Sequence, residues 1–141
     1  MTTTSTVIVL HLIVFMGDES VVAALPVETT LSYDAGHAWA VLITFDVGED
    51  KAVKWRLDRG VLAAGLNAES GEGDVRVWAA SEQDIVIRLS NADHACMFRA
   101  PADEVGAFLD STYRLVPDGA EPGYLNIDTE LDDLLGGDQP S

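Results

Sequence analysis

The chain reads mostly at a period of two. Val53, Trp55 and Leu57 alternate with Lys54, Arg56 and Asp58, the pattern of a half-buried strand. Before it, Trp39, Val41, Ile43, Phe45 and Val47 alternate with Ala40, Leu42, Thr44 and Asp46, and Gly48-Glu49-Asp50 predicts the hairpin turn between the two. A second antiparallel set follows. Val75, Val77 and Ala79 share a face, then Ile85, Ile87 and Leu89, then a strand over 95–99. Ser81-Glu82-Gln83 and Asn91-Ala92-Asp93 are its turns. A fainter alternation over 28–34 adds another strand.

Two features break the simple alternation. The run from Val7 to Met16 is apolar on both faces: Val9, Ile13 and Phe15 on one, Ile8, Leu10, Leu12 and Val14 on the other, interrupted only by His11. A strand of a half-exposed sheet would show one apolar face, so this one predicts either a covering layer or self-association. Trp78 shares the face of Arg76, opposite Val75, Val77 and Ala79. A large aromatic on a polar face points the same way. Ile8, Leu10, Leu12, Val14 and Trp78 are therefore candidate partner or oligomer positions.

Three helices are expected. Asp58 can cap a short one with Val61, Leu62, Gly65 and Leu66 on one stripe, ended by Asn67. Pro101 opens a longer one, with Asp103 and Glu104 at the positive end of its dipole. Val105, Phe108, Leu109 and Thr112 form its buried face, and Pro117 forbids continuation. A third follows Asp128, with Leu131, Leu134 and Leu135 opposite Asp132 and Asp133, and Gly136-Gly137 ends it. Its leucines either dock in a partner's groove or pack back on the sheet. Strands, short helix, strands, longer helix and acidic tail helix make an α+β fold, mainly antiparallel, with about seven strands. A single domain over 1–141 is expected, with a flexible leader at 1–6 and an acidic C-terminal helix and tail at 128–141.

Composition changes this picture in one respect. Of 141 residues, 24 are Asp or Glu and 8 are Lys or Arg, a net charge of −16, yet 48% are hydrophobic. A disordered acidic chain would lack that apolar content. The charge opposes general binding to nucleic acid, which needs cations to displace counterions, and to anionic lipid. No Lys or Arg occurs in 1–50 or 115–141, whereas 51–100 carries seven acids and seven bases.

Candidate chemistry is sparse. His11 reads as a core or interface histidine. His94 and Cys96 share a strand face, but zinc would need further ligands and only His37 is evident. The single Cys96 excludes an intramolecular disulfide and suggests a reducing, cytoplasmic setting. Val7–Met16 followed by Val22-Ala23-Ala24 imitates a secretion signal, but the leader has no positive charge and Asp18 and Glu19 follow at once. Neither a Gly-x-Ser-x-Gly elbow nor a His-Glu-x-x-His pair occurs. Gly71-Glu72-Gly73-Asp74 places acids where a phosphate would sit, and so reads as a turn. Neither enzyme nor cofactor is expected.

The block Trp55, Arg59, Leu62, Gly65, Leu66, Gly71, Gly73-Asp74-Val75, Val77-Trp78 resembles the SsgA-like proteins of sporulating, mycelial Gram-positive bacteria. Flanking matches include Leu31, Tyr33-Asp34, Phe45, Ala100-Pro101, Phe108-Leu109, Val116-Pro117, Glu121 and Asp128-Thr129-Glu130-Leu131. Departures occur at His37-Ala38-Trp39, Ala79 and 91–94. The resemblance implies a whirly-like fold, a homotrimer, and a non-catalytic role in sporulation-specific cell division. For the SsgB type, it implies recruitment or stabilisation of FtsZ at future septum sites, with SsgA-type relatives as further partners; from the charge, no DNA and only indirect contact with membrane are expected. It marks Trp55, Arg59, Leu62, Gly71, Gly73, Asp74 and Trp78 as motif residues. The whirly-like fold also raises an alternative, a single-stranded nucleic-acid binder that uses Trp78, Arg76 and Arg88 as a stacking and phosphate surface.

Overall fold

The computed structural model describes residues 3–16, 20–46, 52–71, 73–90 and 95–124. Seven strands form one antiparallel sheet. They are β1 (Thr3–Met16), β2 (Ser20–Asp34), β3 (Ala40–Asp46), β4 (Ala52–Asp58), β5 (Val75–Ala79), β6 (Asp84–Ser90) and β7 (Ala95–Pro101), in the order β4-β3-β2-β1-β7-β6-β5. Helix α1 (Arg59–Gly65) follows β4, and α2 (Ala102–Leu115) follows β7. This is the α+β architecture expected from the alternation.

The sheet curls. Phe45 of β3 and Phe98 of β7 lie three strands apart in the sheet order, yet their rings stack with centroids 4.6 Å apart. Helix α1 touches both β4 and β5, the two edge strands. Its inner side packs against β5 so closely that a Cβ on Gly65 would overlap the Val77 side chain. Helix α2 packs on β1, β6, β7 and α1. The core therefore lies inside the curl, among Leu10, Val41, Ile43, Leu57, Leu62, Val77, Ile85 and Val105.

Both described helices match the sequence in their essentials. Asp58 caps α1 by accepting a hydrogen bond from the Val61 N–H at 3.1 Å. The α1 stripe differs in detail, because Arg59 is buried with Leu62 and Gly65 while Val61 is half-buried. Helix α2 buries Val105, Phe108, Leu109 and Thr112, the i, i+3, i+4, i+7 face.

The strands hold more surprises. The faint alternation over 28–34 is the end of a 15-residue strand. Thr3 pairs with Asp34, so the leader expected to end at Thr6 belongs to β1 from Thr3 onward. The two faces of β1 also separate sharply. Ile8 and Leu10 are core residues and Leu12 packs against them, whereas Val7 and Val9 are exposed at 59% and 46%. Ile8 and Leu10 were expected at a partner surface. They lie inside because the curl and α2 supply the covering layer, and the outward face is the opposite one. The Val14 side chain, the turns at 48–50 and 91–93 and the helix expected after Asp128 lie outside the described residues.

Candidate functional site

Arg59 organises the most tightly built polar cluster. It starts α1, yet it is 1% exposed. Its guanidinium stacks on Tyr113 at 4.0 Å and on Tyr33 at 5.0 Å from the ring centroids. One nitrogen, Nη1, donates to the carbonyls of Val116 at 2.8 Å and Thr112 at 3.2 Å. The other, Nη2, donates to Glu121 Oε2 at 2.7 Å. Two of the carbonyls that end α2 are thus capped by a cation from another element, which the negative end of the helix dipole favours. Burial raises both tyrosine pKa values, partly offset by the Arg59 charge. Glu121 is held below the ordinary glutamate range by its own backbone N–H and then by Arg59. Among the described residues, no buried side-chain nitrogen or oxygen lacks a hydrogen-bond partner. The cluster clips the short 3-10 turn Glu121–Tyr124, which follows α2, to α1. Glu121 and Tyr113 act only through contacts with distant residues, so no local pattern marks them.

The remaining motif residues separate rather than converge. Leu62 is fully buried in α1, and Trp55 packs half-buried against the core from β4. Gly71 and Gly73 shape the turn into β5, with φ of 94° and 68°. Only at Gly71 would a Cβ overlap the backbone, at the Val75 carbonyl. Asp74 is exposed, and its backbone carbonyl accepts from the Ser90 N–H at 2.8 Å. These positions set how α1, the turn and β5 fit together.

Trp78 lies on the other face. Strand register puts Trp78 opposite Val86, Arg76 opposite Arg88, Val86 opposite Arg99, and Arg99 opposite His11. Lys54 and Arg56 of β4 occupy the same outward side, paired with Thr44 and Leu42. Five of the chain's eight basic residues thus share the outer face of the sheet. Around Trp78, two of them, Arg76 and Arg88, border an open cleft of about 670 Å³ that Asn67 and Glu69 also line. Arg76 pairs with Glu69, and Arg88 has no ion-pair partner among the described residues.

Apolar exposure gathers elsewhere. Val7, Val9, Leu25, Trp39 and Val53 are the exposed large hydrophobics. β1 and β2 also outrun their neighbours: β3 pairs with β2 only over Thr29–Ser32, and β7 pairs with β1 at His11 and Leu12. Among the described residues, the far end of this hairpin has no strand beside it. Also among the described residues, no three His, Cys, Asp or Glu side chains gather as metal ligands, and no helix is long and apolar enough to cross a membrane. Cys96 is exposed, and His94 lies outside the described residues. Leu131, Leu134 and Leu135 lie outside them too.

A curled seven-stranded antiparallel sheet with two helices packed on it, a buried arginine clip and outward patches define an α+β protein. Residues 27–121 match the family described as the Streptomyces sporulation and cell division protein SsgA. The chain belongs to this SsgA-like family. It is 36% identical to the sporulation-specific cell division protein SsgB of Streptomyces coelicolor, covering 89% of this chain and 92% of that protein. It is 39% identical to SsgB of Saccharopolyspora erythraea, over 79% of this chain and 81% of that one. The crystal structure of an SsgA-like sporulation-specific cell division protein from Thermobifida fusca superposes with a TM-score of 0.80 at 34% identity, covering 94% and 96% of the two chains. A solved SsgB, from work on longitudinal cell division during sporulation of Streptomyces coelicolor, gives 0.78 at 38%, covering 88% and 96%. A role in sporulation-associated cell division follows from these relationships.

Proposed function

We propose that this chain is a non-enzymatic adaptor of the SsgB type, which recruits or stabilises FtsZ at future septum sites and works as a homotrimer in the cytoplasm. The observation that carries the reading is near-full-length similarity to proteins named sporulation-specific cell division protein SsgB. The surface supports it. Val7 and Val9 stand out on a strand face that a monomer leaves to water. Among the described residues, the far end of the β1–β2 hairpin has no neighbouring strand and so offers strand edges to another chain. A net charge of −16 gives no general attraction to an acidic partner, so contact through apolar residues is expected.

Co-sedimentation with FtsZ tests the reading. The protein should pellet with FtsZ polymers or change filament length, and a fluorescent fusion should gather at sporulation septa. Binding should hold or tighten as salt rises. Unchanged FtsZ assembly together with a diffuse fusion would overturn the proposal. Loss of binding on adding salt would overturn the apolar mode of contact.

A further inference from the structure

We infer that the chain's own acidic C-terminal segment, 128–135, seats in the Arg76–Trp78–Arg88 cleft on the outer face of the sheet. This reading stands apart from FtsZ binding and does not rest on it.

The cleft carries a charge problem. Arg76 and Arg88 are direct cross-strand partners, and like charges so placed repel. Glu69 neutralises Arg76, but among the described residues nothing pairs with Arg88. Arg99 stands on the same face, two strands from Trp78. Trp78 lies half-buried on the edge strand beside Arg76 and diagonal to Arg88, and offers an apolar surface. An occupant suited to this place would bring carboxylates and aliphatic side chains together.

The segment 128–135 has that composition. Asp128, Glu130, Asp132 and Asp133 are interspersed with Leu131, Leu134 and Leu135, and no Lys or Arg occurs from residue 115 onward. Its starting point is also near. Glu121 is clamped to Arg59 at the first turn of α1, and Asn67, just past the other end of that helix, lines the cleft. At 1.5 Å per residue, that passage along α1 is about 12 Å. Residues 125–131, if extended, span up to about 23 Å. The leucine-bearing part therefore reaches round the β5 edge to Trp78. Tethering presents it at an effective concentration on the order of millimolar, which a free acidic peptide seldom matches.

The test follows the indole N–H signal of Trp78 in the isotope-labelled full chain, assigned through Trp78→Phe. The Asp132→Asn/Asp133→Asn variant alters only residues beyond the described fold and reports on seating. The expected result is a shifted Trp78 signal and slowed motion of the 131–135 amides in the natural chain. Both should be lost in the tail variant, in Arg88→Glu, and at high salt. A Trp78 signal identical in the natural chain and the tail variant overturns the proposal. Labelled tail variant mixed with unlabelled natural chain should keep the unseated signal; recovery of the shift would mean that another copy's tail occupies the cleft, which also overturns it. So does a labelled oligonucleotide that shifts Trp78 equally with and without the tail charges, since the cleft would then be open to nucleic acid.

Discussion

A buried arginine at the first position of a helix looks out of place until its partners are counted. Arg59 has two rings, two carbonyls and a carboxylate around it. Arg59→Ala should cost about 3 kcal/mol by denaturant unfolding, because it leaves the α2 carbonyls uncapped and a void between the tyrosines. Acid should act at the same place. Glu121 titrates lower folded than unfolded, so its contribution is full above the ordinary glutamate range and disappears as pH falls through the depressed folded value. In thermal melts against pH, Glu121→Gln should be less stable than the natural chain near neutrality and approach it in acid. The two turn glycines should differ as well. Gly73→Asn places a tolerant residue at φ 68° with open space around it, whereas Gly71→Asn drives a Cβ into the Val75 carbonyl. The first should change stability by under ~1 kcal/mol and the second by clearly more. The resemblance marked Arg59, Gly71 and Gly73 but not their duties, because a side chain's partners from distant segments leave no local pattern.

At the scale of elements, most of the fold was legible. Alternation placed β3 to β7, and Asp58 and Pro101 placed the helix starts within a residue. Asp58→Ala should cost about 1 kcal/mol in the same unfolding assay by removing the α1 cap. What the pattern concealed was which face of β1 turns inward. Both faces are apolar, so periodicity cannot choose, and the choice depends on a curl and a helix that form far away in sequence. The length of β2 was hidden for a related reason. Pro26 and the unbroken apolar run around it, from Val21 to Val27, hide the alternation, yet pairing with β1 carries the strand through.

For the whole molecule, the charge is sorted as well as large. The ends of the sequence are acidic, while five of eight basic residues share the outer sheet face. Sequence counts revealed the neutral middle. They did not reveal that its cations share one side, because that depends on strand register. If Val7 and Val9 mediate self-association, light scattering should report about three times the 15.1 kDa chain mass at neutral pH. Val7→Ser/Val9→Ser should move it toward one chain while far-ultraviolet circular dichroism stays unchanged. A natural chain that scatters as a monomer would remove the trimer from the proposed function.

The seam between β1 and β7 has a kinetic consequence. Strands β1 to β4 and β5 to β7 are each built from neighbours in sequence, but His11 must find Arg99 to join them. Loop closure over so much chain is slow relative to hairpin formation. The two halves are therefore expected to gain hydrogen-exchange protection early in refolding, and the β1–β7 amides last. Until then the apolar inner face of β1, with Ile8 and Leu10, stays open to solvent, and this is the interval in which the chain is most exposed to aggregation.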